Sequence, residues 1–510
     1  MLRPITPEER SRLEARGCTF APGCGVETES TDPLDTDVFS DTHLSGHIAI
    51  HGRPARVAMS RLRDVAIHAG AVIEYTGEIS NYDILEGATV SRTGSMTYRR
   101  DTSHRIETFS EAGGFTVTSR PGLTPAEAEA EVFGRSDAAP YAPGRGCVGR
   151  DATVCGADSL RSVIVADRAT VGTGVIAEDT VVDSDARLTD GAMVYRCHIG
   201  RGCTVTKGFT AHDSLFFDNC TMEAGEAAAV FAGPHAVSCH KSTLLIGCRC
   251  SFFNAGSGTN MSNHAYRLGP IHHGTLLPGC KTASNTYILW PATFGAGSLI
   301  VGNHKHHPDT TDLPFSYLIE EGGSLSVVPA VALKGAGLIR DLEKWPKRDN
   351  RLGCEPIDCS LMTPDILAAM TRGMKMLEEV RSDTVWQGYT LTVAAAAKGY
   401  EYYRMALTAH YCGGMVKAFE TGTRDYPEGF ARWWGTEPDR LTPEERQIVI
   451  IAWRDAALSL LRLIKADALK EFFPSTRRTL GTPDTNPFML SIEEKIDRVT
   501  DRAARLLEPA

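Results

Sequence analysis

The sequence predicts a three-sided parallel β-helix followed by an all-α domain, and three observations carry that expectation. First, a triplet of small residue, any residue and aliphatic residue recurs every seventeen positions, as Ala152-Thr153-Val154, Ala169-Thr170-Val171, Ala186-Arg187-Leu188, Cys203-Thr204-Val205 and Cys220-Thr221-Met222. Second, a spacing near six links Val148, Val154 and Leu160, and then Leu188 and Val194, which divides each turn into three short strands. Third, from about residue 361 the apolar period changes to 3.6, the signature of helices. Short strands joined by tight Gly, Asp and Asn corners bury their aliphatic residues only by stacking coil on coil. Val154, Val171, Leu188 and Val205 are therefore expected to form one inward column.

Taken in chain order, the same triplet opens the array upstream, as Ala55-Arg56-Val57, Ala71-Val72-Ile73 and Ala88-Thr89-Val90. Residues 40–105 and 145–305 are expected to make one continuous prism. Between them, at about 91–147, lies a polar insertion containing LTPAEAEAEVFGR, where Thr124 can cap and Pro125 open a short helix that projects from the prism. After Met222 the triplet loosens, although IGCRCSFF, LPGCKTAS and FGAGSLIVG still read as coil edges. The stretch NAGSGTNMSNHAYRLGPIHHG, residues 254–274, then reads as loops interrupting the last coils. The β-helix domain is expected over residues 1–355 and the helical domain over 356–510, with Thr363-Pro364 and Thr442-Pro443 opening two of its helices.

Bulk properties narrow the function. The 510 residues carry a net charge of −10 with the two signs interspersed, so nothing advertises a polyanionic partner and nucleic acid is excluded. The N-terminus lacks an apolar core segment and no run approaches a bilayer span, so a cytoplasmic protein without a membrane partner is expected. The 14 cysteines include no CxxC pair, and several fall where the repeat wants a small buried side chain. They read as reduced, structural thiols.

The chemistry is expected where the histidines concentrate, because ten of the 16 lie between His198 and His307. Near its ordinary pKa an imidazole can take a proton from a hydroxyl or amine and so permit attack on an activated donor. His240 and His264, with His272 and His304, are the candidate catalytic residues. Asn254, Asn260, Asn263, Lys281, Asp309, Asp312, Lys344 and Arg348 are the candidate contacts to a small-molecule substrate. GSGTN could cradle an anion with its backbone donors, although it lacks the ending of a Walker loop. Alternatively, His235 and His240 form an H-x4-H pair that could bind Zn or Fe together with His198, supporting a metal-dependent lyase or hydrolase. A third reading is a non-enzymatic ligand-binding or assembly protein.

The eight triplets resemble the hexapeptide-repeat proteins, and that resemblance implies a left-handed coil. It further implies a transferase whose donor is activated by coenzyme A or a nucleotide. It also implies a homo-oligomer, a trimer or a dimer of trimers, because hexapeptide enzymes build sites between neighbouring prisms. The set His198, His235 and His240 is similar to the γ-class carbonic anhydrases. More particularly, AGSGTNMSNHAYRLGPIHHG, LPFSYLIEE and GLIRDLEKWPKRD, with ISNYDILEGATV and FSEAGGFTV, resemble a bacterial β-helix family carrying a domain of unknown function, found notably in gut Bacteroidetes. This match extends from the N-terminus to about residue 355. It implies a fold similar to the β-helix half of sugar-nucleotide uridylyltransferases, whereas their Rossmann-like half, with its Gly-rich opening loop, is missing here.

Overall fold

In a computed structural model, which describes residues 2–136, 141–264 and 268–508, the chain is a parallel β-solenoid with a C-terminal helical region. It divides into two compact units. One takes in the residues up to Leu276 with Thr282–Ala292 and Arg348–Pro356, and the other takes in Leu277–Lys281, Thr293–Lys347 and the residues from Ile357 on.

In the first unit each coil contributes three short strands, and each pairs in parallel with its counterpart one coil further on. Gly146–Val148 belongs to the first column and is followed by Ile164–Val165 and Val181–Val182. Thr153–Cys155 belongs to the second column and is followed by Thr170–Val171 and Arg187–Leu188. Ser159–Arg161 belongs to the third and is followed by Ile176–Glu178 and then Met193–Tyr195. The expected inward column forms: Val154, Val171, Leu188 and Val205 are in register on successive coils, and all are fully buried. Residues near 84 and 148 are direct neighbours, because Tyr82–Ile84 pairs with Gly146–Val148 across the insertion. Within this unit the solenoid thus runs from the upstream coils to residue 276 and again over 282–292, while 277–281 and 293–305 fall in the second unit.

The turn from third to first column is a tight corner with one left-handed residue. Ser162, Asp179, Arg196, Asp213, Ala229 and Gly247 occupy it on successive coils with φ between 47° and 53°. Asp tolerates this conformation better than most residues, whereas Arg and Ala occupy it only where the flanking ladders impose it.

Both interruptions of the repeat leave from this one edge. The insertion departs after Ser95–Thr97 of the third column and returns at Gly146–Val148 of the first. The polar stretch departs after Asn260–Ser262 of the third and returns at Gly274–Leu276 of the first.

The insertion does not project, which corrects the expectation. Its hairpin, Arg105–Glu107 with Thr116–Thr118, and its helix Pro125–Val132 pack on the coil flank. Ile106, Phe109, Val117, Leu123, Ala128 and Val132 close over Leu215, Phe217 and Phe231, three large apolar side chains on the flank of the first column. Leaving that patch in water would be costly, at roughly 1.5–3 kcal/mol per large side chain.

In the second unit, Leu299–Val301 pairs in parallel with Tyr317–Ile319, and Tyr317–Glu321 then folds back against Ser324–Val328. The helices Pro364–Glu378, Val393–Thr421, Pro443–Ala468 and Pro487–Leu507 follow. The region is not wholly α-helical. Thr384–Trp386 and Tyr389–Leu391 form a hairpin, because the apolar TVW and YTL runs flank Gln387-Gly388, both at positive φ as a tight hairpin turn requires. No described helix is long and apolar enough to cross a membrane.

Candidate functional site

The corner edge gathers what the sequence scatters. Phe109, just before the insertion tip, donates its N–H to the carbonyl of corner residue Ala229 at 2.9 Å, which lays the tip along the edge. The polar stretch fastens the tip from the other side. Asn263, fully buried, donates through Nδ2 to Glu111 Oε2 at 2.7 Å and to the Pro270 carbonyl at 3.4 Å, and the Ser110 hydroxyl donates to that same carbonyl at 3.5 Å. The polar stretch is therefore a fastening for the insertion.

Beside this fastening stands His212, the last residue of Thr210–Phe216 to pair in the third column, followed at the corner by Asp213. His212 Nδ1 lies 3.4 Å from Asp213 Oδ2, and its Nε2 lies 4.0 Å from Glu111 Oε1. Arg196, at the same corner one coil earlier, grips Asp213 through two bonds of 2.7 and 2.6 Å. The hydrogen bond that His212 donates to Asp213, opposed by burial and aided by the Glu111 charge, raises the imidazole pKa above its ordinary value. Burial alone would raise the Asp213 carboxyl, but Arg196 and His212 outweigh it and hold the group below its usual range. The result is an aligned, half-buried imidazole with its second nitrogen facing a carboxylate across a gap.

Arg196 also lines a cavity of about 340 Å³ on this edge, together with Arg99, Arg105, Thr102, Ser103 and Asp179. Arg99 is held by two bonds to Asp179 at 2.9 and 2.7 Å, and Arg105 by Glu107 and Thr116. All three guanidiniums are thus already paired with a carboxylate, and Asp101 lines the cavity beside them.

The candidates read from sequence fare differently. His264 is exposed next to Asn263 and His272 is half-buried just before Gly274–Leu276, so both border the edge. His240 is exposed on the turn between the second and third columns, away from that edge. Asn254 and Asn260 are exposed strand residues in different columns. His304 belongs to the second unit and is buried, with Nδ1 bonded to the Tyr389 hydroxyl at 2.7 Å and Nε2 to the Val301 carbonyl at 3.1 Å. Burial lowers its pKa to about 4, and with both nitrogens engaged it is a core residue.

Lys281, in that unit, is taken up by an ion pair with Asp341, and Asp312 by Arg372. Asp309 is exposed, its carboxylate bonded to Thr311, and Lys344 and Arg348 are exposed. Three backbone donors of GSGTN are taken up within the coils. Its Gly256 N–H is bonded to Thr282 Oγ1, Thr259 N–H to the Gly256 carbonyl and Asn260 N–H to the Thr286 carbonyl.

The proposed metal set does not assemble. His198 lies in the first-column flank ladder between Val181 and Leu215, roofed by the insertion, with Nδ1 bonded to the Ser119 hydroxyl at 3.0 Å. His235 is buried at a corner between the first and second columns and stacks on Phe252. Burial lowers both pKa values to about 4. Among the described residues no three His, Cys, Asp or Glu side chains come together as a metal site. The cysteines are free, as expected, and Cys203, Cys220 and Cys280 fill the small slots of the repeat.

His212, Glu111, Asp213 and Arg196 were not singled out from sequence. The signal available was weak: FSEAGGF in the insertion and TAHDSLF in the coils, a hundred residues apart.

Among known proteins, the family model described as "Domain of unknown function (DUF4954)" matches residues 145–381, which fits a β-helix family of unknown function. A crystal structure of a "putative acetyltransferase" from Desulfovibrio desulfuricans G20 aligns over 83% of this chain and 86% of its own, at 7% identity and a TM-score of 0.17. At that similarity it carries no argument about function. No curated protein matches.

Proposed function

We propose that this chain is a transferase that moves a group from an activated donor, linked to coenzyme A or a nucleotide, to a small phosphorylated acceptor. His212 is its general base. The observation that supports this most is the alignment of His212 between Asp213 at 3.4 Å and Glu111 at 4.0 Å, on the edge that also carries the three-arginine cavity. In this reading Arg99, Arg105 and Arg196 hold the acceptor's phosphate. His212 Nε2 removes the proton of an acceptor hydroxyl or amine as that atom bonds to the donor's electrophilic centre. The thiolate or phosphate of the donor leaves with the bonding electrons and takes the proton back from the imidazolium. Asp213 fixes the ring and stabilises its charged form.

The same reading takes the coil to be a left-handed, three-sided prism over residues 1–355, with 356–510 as the helical domain. Three strand columns per coil support the three sides. The flat columns favour a homo-oligomer, a trimer or dimer of trimers.

The test supplies the purified chain with acetyl-coenzyme A or a sugar nucleotide and a deproteinised extract of phosphorylated small molecules. Release of free thiol or nucleotide is followed. The expected result is extract-dependent release that falls at least about a hundredfold in His212→Ala, the usual scale for losing a general base. No release by the unmodified chain, or equal release by the variant, would overturn the reading.

A further inference from the structure

We propose that a groove on the second strand column, walled by residues 348–356, binds an extended, acidic, hydroxyl-rich ligand of the class of an acidic oligosaccharide. This is independent of the His212 reading and uses none of its residues.

The groove has a cavity volume of about 630 Å³, within the range of small-molecule sites. Its floor crosses three coils. Thr170, Arg187 and Thr204 are in register on adjacent strands, so their side chains stand in a row at roughly 4.8 Å intervals. Thr189 and Thr206 form a second row, their hydroxyls 3.0 Å apart, and Thr206 donates to Asp190 at 2.7 Å. Hydroxyls and a carboxylate spaced along a flat floor match the repeating hydroxyls of a sugar chain, each of which can donate and accept.

Both signs stand on the floor, with Asp190 beside the second row of hydroxyls. Arg168 is paired with Asp185 and Lys207 with Glu223. Arg187 is exposed and, among the described residues, has no ion-pair partner. It interrupts a row otherwise made of threonine, where a guanidinium gains nothing from its neighbours. An uncompensated, planar, two-pronged donor between hydroxyls fits a carboxylate on a sugar ring.

The wall is rigidly built. Arg351, its side chain only 8% exposed, is held by Asp349 and Asp218, each at 2.8 Å. Asn219 bonds Asp349 at 2.9 Å and receives the Asn350 N–H at 2.9 Å, while Leu352 N–H reaches Asp185 at 3.1 Å. Gly202, at φ +65°, lets the segment lie close, since a Cβ there would stand 2.7 Å from Asn219 Oδ1 and 3.1 Å from Arg351 Cγ. This network presents the Leu352 side chain at the groove with 64% of it exposed, an apolar platform of the kind a sugar face covers.

The test is calorimetric titration of the intact chain with trigalacturonate, maltotriose and inorganic phosphate, repeated on Arg187→Ala with its melting temperature recorded. The expected result is saturable binding of trigalacturonate at least tenfold tighter than of maltotriose or phosphate, lost at least tenfold in Arg187→Ala at unchanged melting temperature. Thr204→Val, which keeps the shape and removes a hydroxyl, is expected to weaken binding by a smaller factor. Absence of saturable binding, equal affinity for phosphate, or indifference to Arg187→Ala would overturn the proposal.

Discussion

At the residue scale, identical side chains acquire opposite roles from what lies over them. His198 and His235 are fully buried and neutral, with burial holding their pKa at about 4, whereas His212 is raised by Asp213. For His198 the folded pKa lies below the unfolded value of about 6.5, so the unfolded chain binds more protons between the two. Its contribution to stability is therefore full above about pH 6.5 and is lost as pH falls towards 4, on the order of 3 kcal/mol for so large a shift. Urea midpoints measured at pH 7.5 and 5 should fall accordingly, and His198→Gln should reduce that fall. Arg351 offers a second check. Bonds to Asp349 and the charge of Asp218 raise its pKa further against the opposing effect of burial, and removing it strands two carboxylates. Arg351→Ala should cost roughly 3–5 kcal/mol, the scale for breaking a buried pair, read by thermal or chemical unfolding. The roles of His198 and His304 are not visible in a list of histidines, because each depends on a partner far away in sequence. Ser119 lies 79 positions from His198 and Tyr389 lies 85 from His304.

At the element scale, the coils were legible and their attachments were not. The small-any-aliphatic triplet places Val154, Val171 and Leu188 inward because a strand alternates its faces, so register follows from spacing alone. The helix starts were equally readable: Thr124 and Thr442 both close capping boxes, with Glu127 and Glu445. Thr363 precedes its proline without a side-chain cap. What the sequence concealed was where the insertion lands. Its short helix was expected to project, while the partners of its apolar residues, Leu215, Phe217 and Phe231, carry no mark in the repeat. Those partners lie on the outer flank, and only the fold shows that. Phe217→Ala should therefore loosen the insertion and cost about 3–5 kcal/mol, the scale for a buried aromatic. Limited proteolysis should then cut within residues 99–136 faster than in the unmodified chain. An unchanged cleavage rate would mean that the insertion is held by other contacts.

At the scale of the whole molecule, regularity explains why a site can form at all. Every coil returns the chain to the same edge, so an insertion leaving near residue 98 and a loop leaving near 263 emerge along one line. A repeat so even also stacks its strands in parallel columns. We expect three chains to associate through them, giving about three times the 55.2 kDa chain mass in light scattering at micromolar concentration, with the chain mass itself as the contrary result. The central claim is that this edge assembles a working imidazole from three distant segments: Glu111 of the insertion, the Asp213 corner, and Arg196 one coil earlier. Titration of His212 in the intact chain by histidine-selective NMR reads all three at once. The account predicts a pKa above 6.5 that falls in Asp213→Asn and, by a smaller step, in Glu111→Gln. A pKa at or below 6.5, or one indifferent to both substitutions, would contradict it.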